Sequence, residues 1–169
     1  QMARQVLHDS LKKLVKTGDL EKMMAYYNGE DGLEIIAPKS KDGFPVMQTM
    51  VAEIGSGNLS GKMYKGYIPG WGNLTGPEAL EHMMQKASEN GGDFDPSTGF
   101  DYTQLISKFA MGAVFYNQAV NNYLGSKMEI GQKPNNKPYK DGAYYTGKEH
   151  SWDEAFGYWG APAHSLTLT

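Results

Sequence analysis

One histidine and three carboxylates lie within six residues near the end of this 169-residue chain. They belong to residues 146–160, which read T-G-K-E-H-S-W-D-E-A-F-G-Y-W-G. On a helix, side chains three and four positions apart share a face, which places His150 beside Asp153 and Glu154. Imidazole and carboxylate groups are ligands that divalent metals accept. The spacing therefore predicts a site for a divalent metal ion (iron, zinc or calcium) or a small ligand at His150, Asp153, Glu154 and Glu149.

A purely structural role is the alternative for the same residues, and the spacing does not choose between the two. In this alternative Glu149 caps the helix, and His150 pairs with one of the neighbouring acids. The aromatic side chains of Phe156, Tyr158 and Trp159 then fill the core of the protein.

A metal centre would need further ligands from other parts of the chain. The remaining histidines are His8, His82 and His164. Only His82 has an acid at helical ligand spacing, which is Glu78, four residues before it. A metal-dependent hydrolase would also need a third protein ligand and a coordination position open to water. The sequence contains no His-Glu-x-x-His zinc motif that would supply these groups.

Capping signals define the segment that carries His150. Thr146 and Glu149 have the spacing of a capping box, in which each side chain satisfies a free amide at the helix start. Gly160 and Pro162 follow as a stop signal. These signals predict a helix over residues 146–160.

Apolar periodicity predicts several other helices. Residues 4–16 and 19–28 form an N-terminal pair, and a capping box with a proline in its first turn opens another helix at Thr75. A modest helical pattern covers residues 45–54.

The most regular apolar stripe lies in residues 101–124. Its side chains recur at spacings of four and three, and they are Tyr102, Ile106, Phe109, Ala113, Tyr116, Val120 and Tyr123. Lys108 is the only charged residue between Tyr102 and Leu124, so the segment must be covered on most sides. We therefore expect it to be the central helix of an all-α helical bundle.

An acidic turn before this helix offers a separate set of oxygen ligands. Asp93, Asp95, Ser97 and Asp101 carry oxygen side chains at alternating positions, as calcium loops do. The pattern departs from the EF-hand because Gln104 stands where a bidentate glutamate is needed. A plain turn that ends with an N-cap is the alternative to a calcium site.

A long glycine-rich loop occupies residues 55–76 and carries Tyr64, Tyr67 and Trp71. Long loops in compact domains are often functional, so these three side chains are a candidate ligand-binding surface. Packing of the aromatic rings onto the helices is the alternative. No glycine spacing in the loop matches a phosphate-binding loop.

Composition excludes several classes of partner and chemistry. The net charge of −3 gives no electrostatic footprint for nucleic acid. The absence of cysteine removes thiolate catalysis, iron–sulfur ligation and disulfides. The most apolar stretch, residues 105–124, contains a lysine and several amides, so we expect no transmembrane segment.

Three stretches of the sequence resemble a known family. Residues 106–124 read I-S-K-F-A-M-G-A-V-F-Y-N-Q-A-V-N-N-Y-L, and residues 149–162 read E-H-S-W-D-E-A-F-G-Y-W-G-A-P. The N-terminal Q-M-A-R-Q-V-L-H-D-S-L is also similar to the opening of that family. The chain resembles a bacterial cell-envelope family catalogued only as a domain of unknown function. The fold of that family is held to be similar to that of the imelysin-like proteins, which are linked to iron uptake.

The resemblance implies a fold, a location and a size. The fold is an imelysin-like helical bundle with long glycine-rich loops. The location is the periplasm, the outer membrane or the cell surface, with export through a segment outside this sequence and, in many members, a lipid anchor. Family members are longer, so residues 1–169 are expected to form a single helical domain that is the N-terminal part of a longer protein. The C-terminal remainder of that protein is the expected partner.

The resemblance also bears on the site. Imelysin-like proteins carry a Gly-x-His-x-x-Glu signature that has been discussed as metal-binding. His150 matches its histidine, Asp153 stands in the place of its glutamate with Glu154 next to it, and Gly147 lies one residue early.

Taken together, the leading hypothesis is an exported envelope protein that binds a metal ion or a small ligand in iron acquisition, rather than an enzyme. A metal-dependent hydrolase or peptidase of imelysin type and an interaction or glycan-binding module are the two alternatives.

Overall fold

The computed structural model describes residues 1–37 and 48–160, and these residues are mainly α-helical. The five α-helices are α1 Met2–Val15, α2 Leu20–Asn28, α3 Gly76–Glu89, α4 Tyr102–Ala110 and α5 Gly147–Trp159. The described part contains one two-stranded antiparallel sheet, made of β1 Phe94–Asp95 and β2 Phe100–Asp101. The predicted all-α fold class is confirmed.

Shorter helical segments connect these elements. They are the 3₁₀ turns Val51–Glu53, Ser60–Lys62 and Ser126–Met128 and the π-helical segment Met111–Tyr123. Of the helix predicted over residues 45–54, the first three residues lie outside the described residues, and the rest contains only a 3₁₀ turn. Within residues 1–37 and 48–160, no helix has both the length and the hydropathy needed to cross a membrane.

The chain divides into two compact units, and the division falls inside the π-helical segment. Among the described residues, the N-terminal unit consists of residues 2–37 and 48–114. The C-terminal unit consists of Gln1 and residues 115–160.

The N-terminal unit is built from α1 to α4. Helix α1 packs against α2 and α4, and α3 packs against α4 and α2. The predicted apolar stripe of α1 is buried, and so are the inward-facing residues of the other three helices: Val6, Leu7, Leu11, Leu14, Val15, Met23, Tyr27, Leu80, Met83, Met84 and Ile106. These four helices therefore share one hydrophobic core.

Local signals explain where α2 begins and ends. The Asp19 side chain accepts a hydrogen bond from the amide of Lys22 and so satisfies a free donor of the first turn. Gly29 follows in the left-handed conformation, with a φ of 64°, and its amide donates to the Ala25 carbonyl. A side chain at Gly29 would also collide with the backbone of Gly57, so glycine is required there for two reasons.

The C-terminal unit has a smaller core, formed between the π-helical segment and α5. Its buried members are Ala119, Tyr123, Ala155 and Tyr158, with Phe115 and Val120 packed against them. The ring of Tyr158 stacks on Tyr123 at 5.5 Å between centroids and lies 6.4 Å from Phe115. This aromatic core holds the helix that carries His150.

Candidate functional site

Helix α5 forms where the sequence predicts it. The Thr146 hydroxyl accepts from the amide of Glu149, and the Glu149 carboxylate accepts from the amide of Thr146 at 2.7 Å. At the other end, Gly160 adopts a φ of 87° and its amide donates to the Phe156 carbonyl. The capping box and the glycine stop are thus both confirmed, whereas Pro162 lies outside the described residues.

The imidazole of His150 faces one carboxylate. Its Nε2 atom lies 3.6 Å from Glu154 Oε1, four residues further along α5. Both side chains are partly exposed, at 30% for His150 and 24% for Glu154. The second carboxylate oxygen of Glu154 accepts a hydrogen bond from the side-chain amide of Gln1, which fixes the orientation of the carboxylate.

The rings of Tyr139 and Tyr145 also stack against the imidazole of His150. The Tyr139 amide donates to the Tyr145 carbonyl at 2.8 Å, which brings the two residues together in the loop before α5. The ring centroids of Tyr139 and Tyr145 lie 4.3 Å and 5.6 Å from that of His150, with all three rings near parallel. The imidazole is therefore fixed by stacking as well as by the helix.

The other two predicted ligands do not join this pair. The Glu149 carboxylate is used by the capping box, and the backbone hydrogen bond from Thr146 lowers its pKa. Asp153 is exposed. Across residues 1–37 and 48–160, no three His, Cys, Asp or Glu side chains converge in a way that could hold a metal ion. The described residues thus bring together one imidazole and one carboxylate of the predicted four groups.

His82 and its predicted partner Glu78 do not form a ligand pair. His82 is exposed and stands edge-on to Trp71 at 6.3 Å, while the carboxylate of Glu78 is used to cap α3 at Thr75. His164 lies outside the described residues.

His8 has neighbours that superficially match a catalytic triad. Its Nδ1 lies 3.3 Å from the Asp9 carboxylate, and its Nε2 lies 3.4 Å from the Ser107 hydroxyl. However, Nε2 is also 3.1 Å from the Ser107 carbonyl oxygen, which can only accept a hydrogen bond. The tautomer that donates from Nε2 to this carbonyl cannot take a proton from the serine as a triad histidine does. The buried His8 instead links α1 to α4.

The predicted calcium ligands are engaged with protein groups. Asp95 accepts hydrogen bonds from the Ser97 amide and hydroxyl and from the Thr98 hydroxyl, and these bonds lower its pKa. Asp101 caps α4 by accepting from the amide of Gln104. Asp93 lies 3.5 Å from the ammonium of Lys16. The arrangement observed is a β-hairpin turn followed by an N-cap, which is the alternative to a calcium loop.

The aromatic residues of the glycine-rich loop are placed differently from one another. Trp71 packs against His82 and stacks on Phe100 at 6.5 Å. Tyr67 is 71% exposed and Tyr64 is 42% exposed. Only part of the predicted aromatic surface is therefore open to solvent, and Trp71 contributes to packing.

The two tyrosines and Gln1 at the His150 site are not among the predicted site residues. A signal for Tyr145 exists, because it directly precedes the N-cap Thr146 and so occupies the position from which a hydrophobic staple reaches the fourth helical residue, here His150. No local pattern indicates Tyr139 or Gln1, since their contacts depend on the tertiary fold.

Comparison with known proteins gives one match. The model of a family described as Domain of unknown function (DUF4856) matches residues 83–168, which is half of the chain and includes His150 and Glu154. Comparisons with curated proteins and with solved structures found no match.

Proposed function

Since the chain belongs to the DUF4856 family, a domain of unknown function, we propose its role from the chemistry of the His150–Glu154 pair. The protein is an exported protein of the bacterial cell envelope that binds a transition-metal ion through His150 and Glu154. The observation that carries this proposal is the distance of 3.6 Å between His150 Nε2 and Glu154 Oε1 on a partly exposed face of α5.

The distance suits two ligands of one ion. A nitrogen and an oxygen donor, each about 2.0 to 2.2 Å from a tetrahedral ion, stand roughly 3.4 Å apart. The observed separation is close to this value, so small side-chain adjustments suffice. The tyrosine stack and the Gln1 amide orient the two donors, as supporting groups do around metal ligands. Water or a further ligand would complete the coordination.

The number of protein ligands at His150 favours metal binding over metal-dependent hydrolysis as the role of this site. A catalytic zinc site uses three protein ligands and keeps one position open for water. The described residues supply two such donors at His150. The resemblance to imelysin-like proteins, which are linked to iron uptake, supports a role in iron acquisition, and iron accepts imidazole ligands in general.

A glycan-binding role for the glycine-rich loop has weaker support. Trp71, the largest ring of the proposed surface, is engaged with His82 and Phe100. For this reason the proposal rests on α5 and not on the loop.

Metal titration of the purified full chain tests the proposal. We expect the wild type to bind one equivalent of Zn²⁺ or Fe²⁺, and His150→Ala to bind at least about tenfold more weakly, because one of two protein ligands is lost. His82→Ala is the matched control, since it removes an exposed histidine that has no carboxylate partner within ion-pair distance in residues 1–37 and 48–160. Equal weakening by both substitutions, or no saturable binding by the wild type, would refute the metal site.

Location is tested in the same study by fractionating cells that produce the complete natural protein. Recovery in the envelope fraction is expected. Recovery in the cytoplasm would refute export and leave the metal measurement unaffected.

A further inference from the structure

A cavity of about 530 Å³ lies on the C-terminal unit, in the loop that leads to α5. Its lining residues are Gly131, Lys133, Pro134, Asn135, Asn136 and Lys137. The cavity is wide open to solvent, and its volume is large enough to admit a small organic molecule. None of these residues belongs to the His150–Glu154 pair.

Two hydrogen-bond acceptors among the lining residues already accept hydrogen bonds from other protein groups. The Pro134 carbonyl accepts from the amide of Lys148 at 3.3 Å. The Thr146 hydroxyl, which accepts from the amide of Glu149, donates its own proton to the side-chain oxygen of Asn135 at 2.9 Å. The side-chain oxygen of Asn135 is therefore occupied, and its NH₂ group remains as a hydrogen-bond donor.

The two lysines of the lining add positive charge that no protein carboxylate offsets nearby. In the part of the chain that the structure describes, no Asp or Glu oxygen lies within 4.0 Å of the ammonium of Lys133 or Lys137. The neighbouring Lys148 differs, because its ammonium donates to the carbonyls of Met128 and Glu129. Lysine and asparagine residues, whose side chains carry ammonium and amide donors, thus line the cavity.

We propose that this cavity binds a small organic molecule that carries an oxyanion, either a carboxylate or a phosphate. Hydrogen bonds from ammonium groups to such anions are charge-assisted and roughly twice as strong as neutral ones. A bare phosphate ion would fill only part of the volume, so the oxyanion belongs to a larger molecule. Because the lysines are near the surface, the affinity falls as the salt concentration rises.

The site is independent of the proposed metal ion. Anion binding needs neither His150 nor Glu154, so titrations are performed on the full chain in the presence of EDTA. Inorganic phosphate and citrate serve as separate probes, and binding is followed by calorimetry or by NMR shifts of the Asn135 side chain. The probe that binds more tightly identifies phosphate or carboxylate as the preferred group.

Lys133→Gln combined with Lys137→Gln should weaken binding of the better probe by at least about tenfold, since hydrogen bonds to a charged group contribute about 1.5 to 3 kcal/mol. Lys140→Gln is the control and is compared with Lys137→Gln alone, because each removes one positive charge from an exposed position in the same loop and only Lys137 lines the cavity. Failure of both probes to bind saturably would overturn the proposal, as would an equal effect of the control substitution. Loss of metal binding with intact anion binding would refute only the proposed function.

Discussion

The carboxylate of Glu149 accepts hydrogen bonds at the start of α5 and not at His150. The backbone amide of Thr146 donates to it at 2.7 Å, and this bond holds the pKa of Glu149 below its ordinary value of 4.5. A carboxyl group with a lowered pKa in the folded protein stabilises the fold above its unfolded pKa. That contribution is lost as the pH falls through the lowered value.

Replacement of Glu149 by Gln should therefore have a pH-dependent effect. Gln keeps an acceptor for the capping box but cannot be ionised. We expect Glu149→Gln to unfold a few degrees below the wild type near pH 7, and the two unfolding temperatures to converge as the pH falls below the lowered pKa of Glu149. Thermal unfolding followed by circular dichroism across this pH range is the measurement.

Asp153→Asn is the control for this comparison. It removes one negative charge from an exposed position on the same helix, outside the capping box. A gap between wild type and Glu149→Gln that persists at low pH, or an equal gap for Asp153→Asn, would contradict the assigned role of Glu149.

The sequence could predict the local part of the His150 site and not the rest. Spacing of four along a helix brings His150 and Glu154 together wherever the helix packs. The capping box was predictable in the same way, because Thr146 and Glu149 are three residues apart in the sequence. The capping box also occupies the Glu149 carboxylate, which is therefore not a ligand beside His150. The stacking of Tyr139 and the hydrogen bond from Gln1, which is 153 positions from Glu154, depend on how distant segments fold together.

Helix α5 buries mainly small side chains and exposes its largest ones. Its buried residues include Gly147, Ser151 and Ala155, at successive positions four apart, together with Tyr158. Its largest side chains are exposed: Trp152, Phe156 and Trp159. The expectation that Phe156 and Trp159 fill the core is wrong, and only Tyr158 does so. Ala155 packs against the π-helical segment, whereas Gly147 lies against Lys133 and Pro134 of the preceding loop.

This distribution predicts that alanine substitutions of the neighbouring residues Tyr158 and Trp159 lower stability by very different amounts. Tyr158→Ala should destabilise the C-terminal unit by about 3 to 5 kcal/mol, because it removes a fully buried ring from the stack with Tyr123. Trp159→Ala should change stability by no more than about 0.5 kcal/mol, because the indole is 76% exposed. Urea unfolding of both variants measures the difference. A loss for Trp159→Ala equal to that for Tyr158→Ala would contradict the assignment of the buried face.

The segment predicted as one α-helix over residues 101–124 contains a change of winding. Helix α4 ends at Ala110, and π-helical hydrogen bonds, which close one residue later than α-helical ones, continue to Tyr123. Buried positions beyond the change include Val114, Ala119 and Tyr123, at spacings of five and four, while Tyr116 of the predicted stripe is 60% exposed. Apolar periodicity predicted the helical segment correctly. It could not predict the wider winding, which no proline or charge in the sequence marks.

In the whole molecule, the segment matched by the family model does not coincide with the segment that forms the N-terminal core. The match begins at Met83, inside α3, and therefore omits α1, α2 and the first half of α3. In the N-terminal unit, however, α4 packs against both α1 and α3. The all-α class was predictable because each helix has its own caps and apolar stripe. Which helices share a core was not, since that depends on contacts between stripes distant in the sequence.

A fragment limited to residues 83–168 should consequently fail to form the core around α4. Without α1 and α2, the buried surfaces of Met83, Met84 and Ile106 lose their covering, at a cost of roughly 1.5 to 3 kcal/mol for each side chain. We expect this fragment to bind the dye ANS through the uncovered apolar faces of α3 and α4, as loosely packed states do, although it contains the core of the C-terminal unit. A fragment of residues 2–114 keeps α1 to α4 and should unfold cooperatively without binding the dye. Absence of dye binding by the fragment of residues 83–168 would mean that the segment matched by the family model contains a sufficient core, and that α1 and α2 are accessory to it.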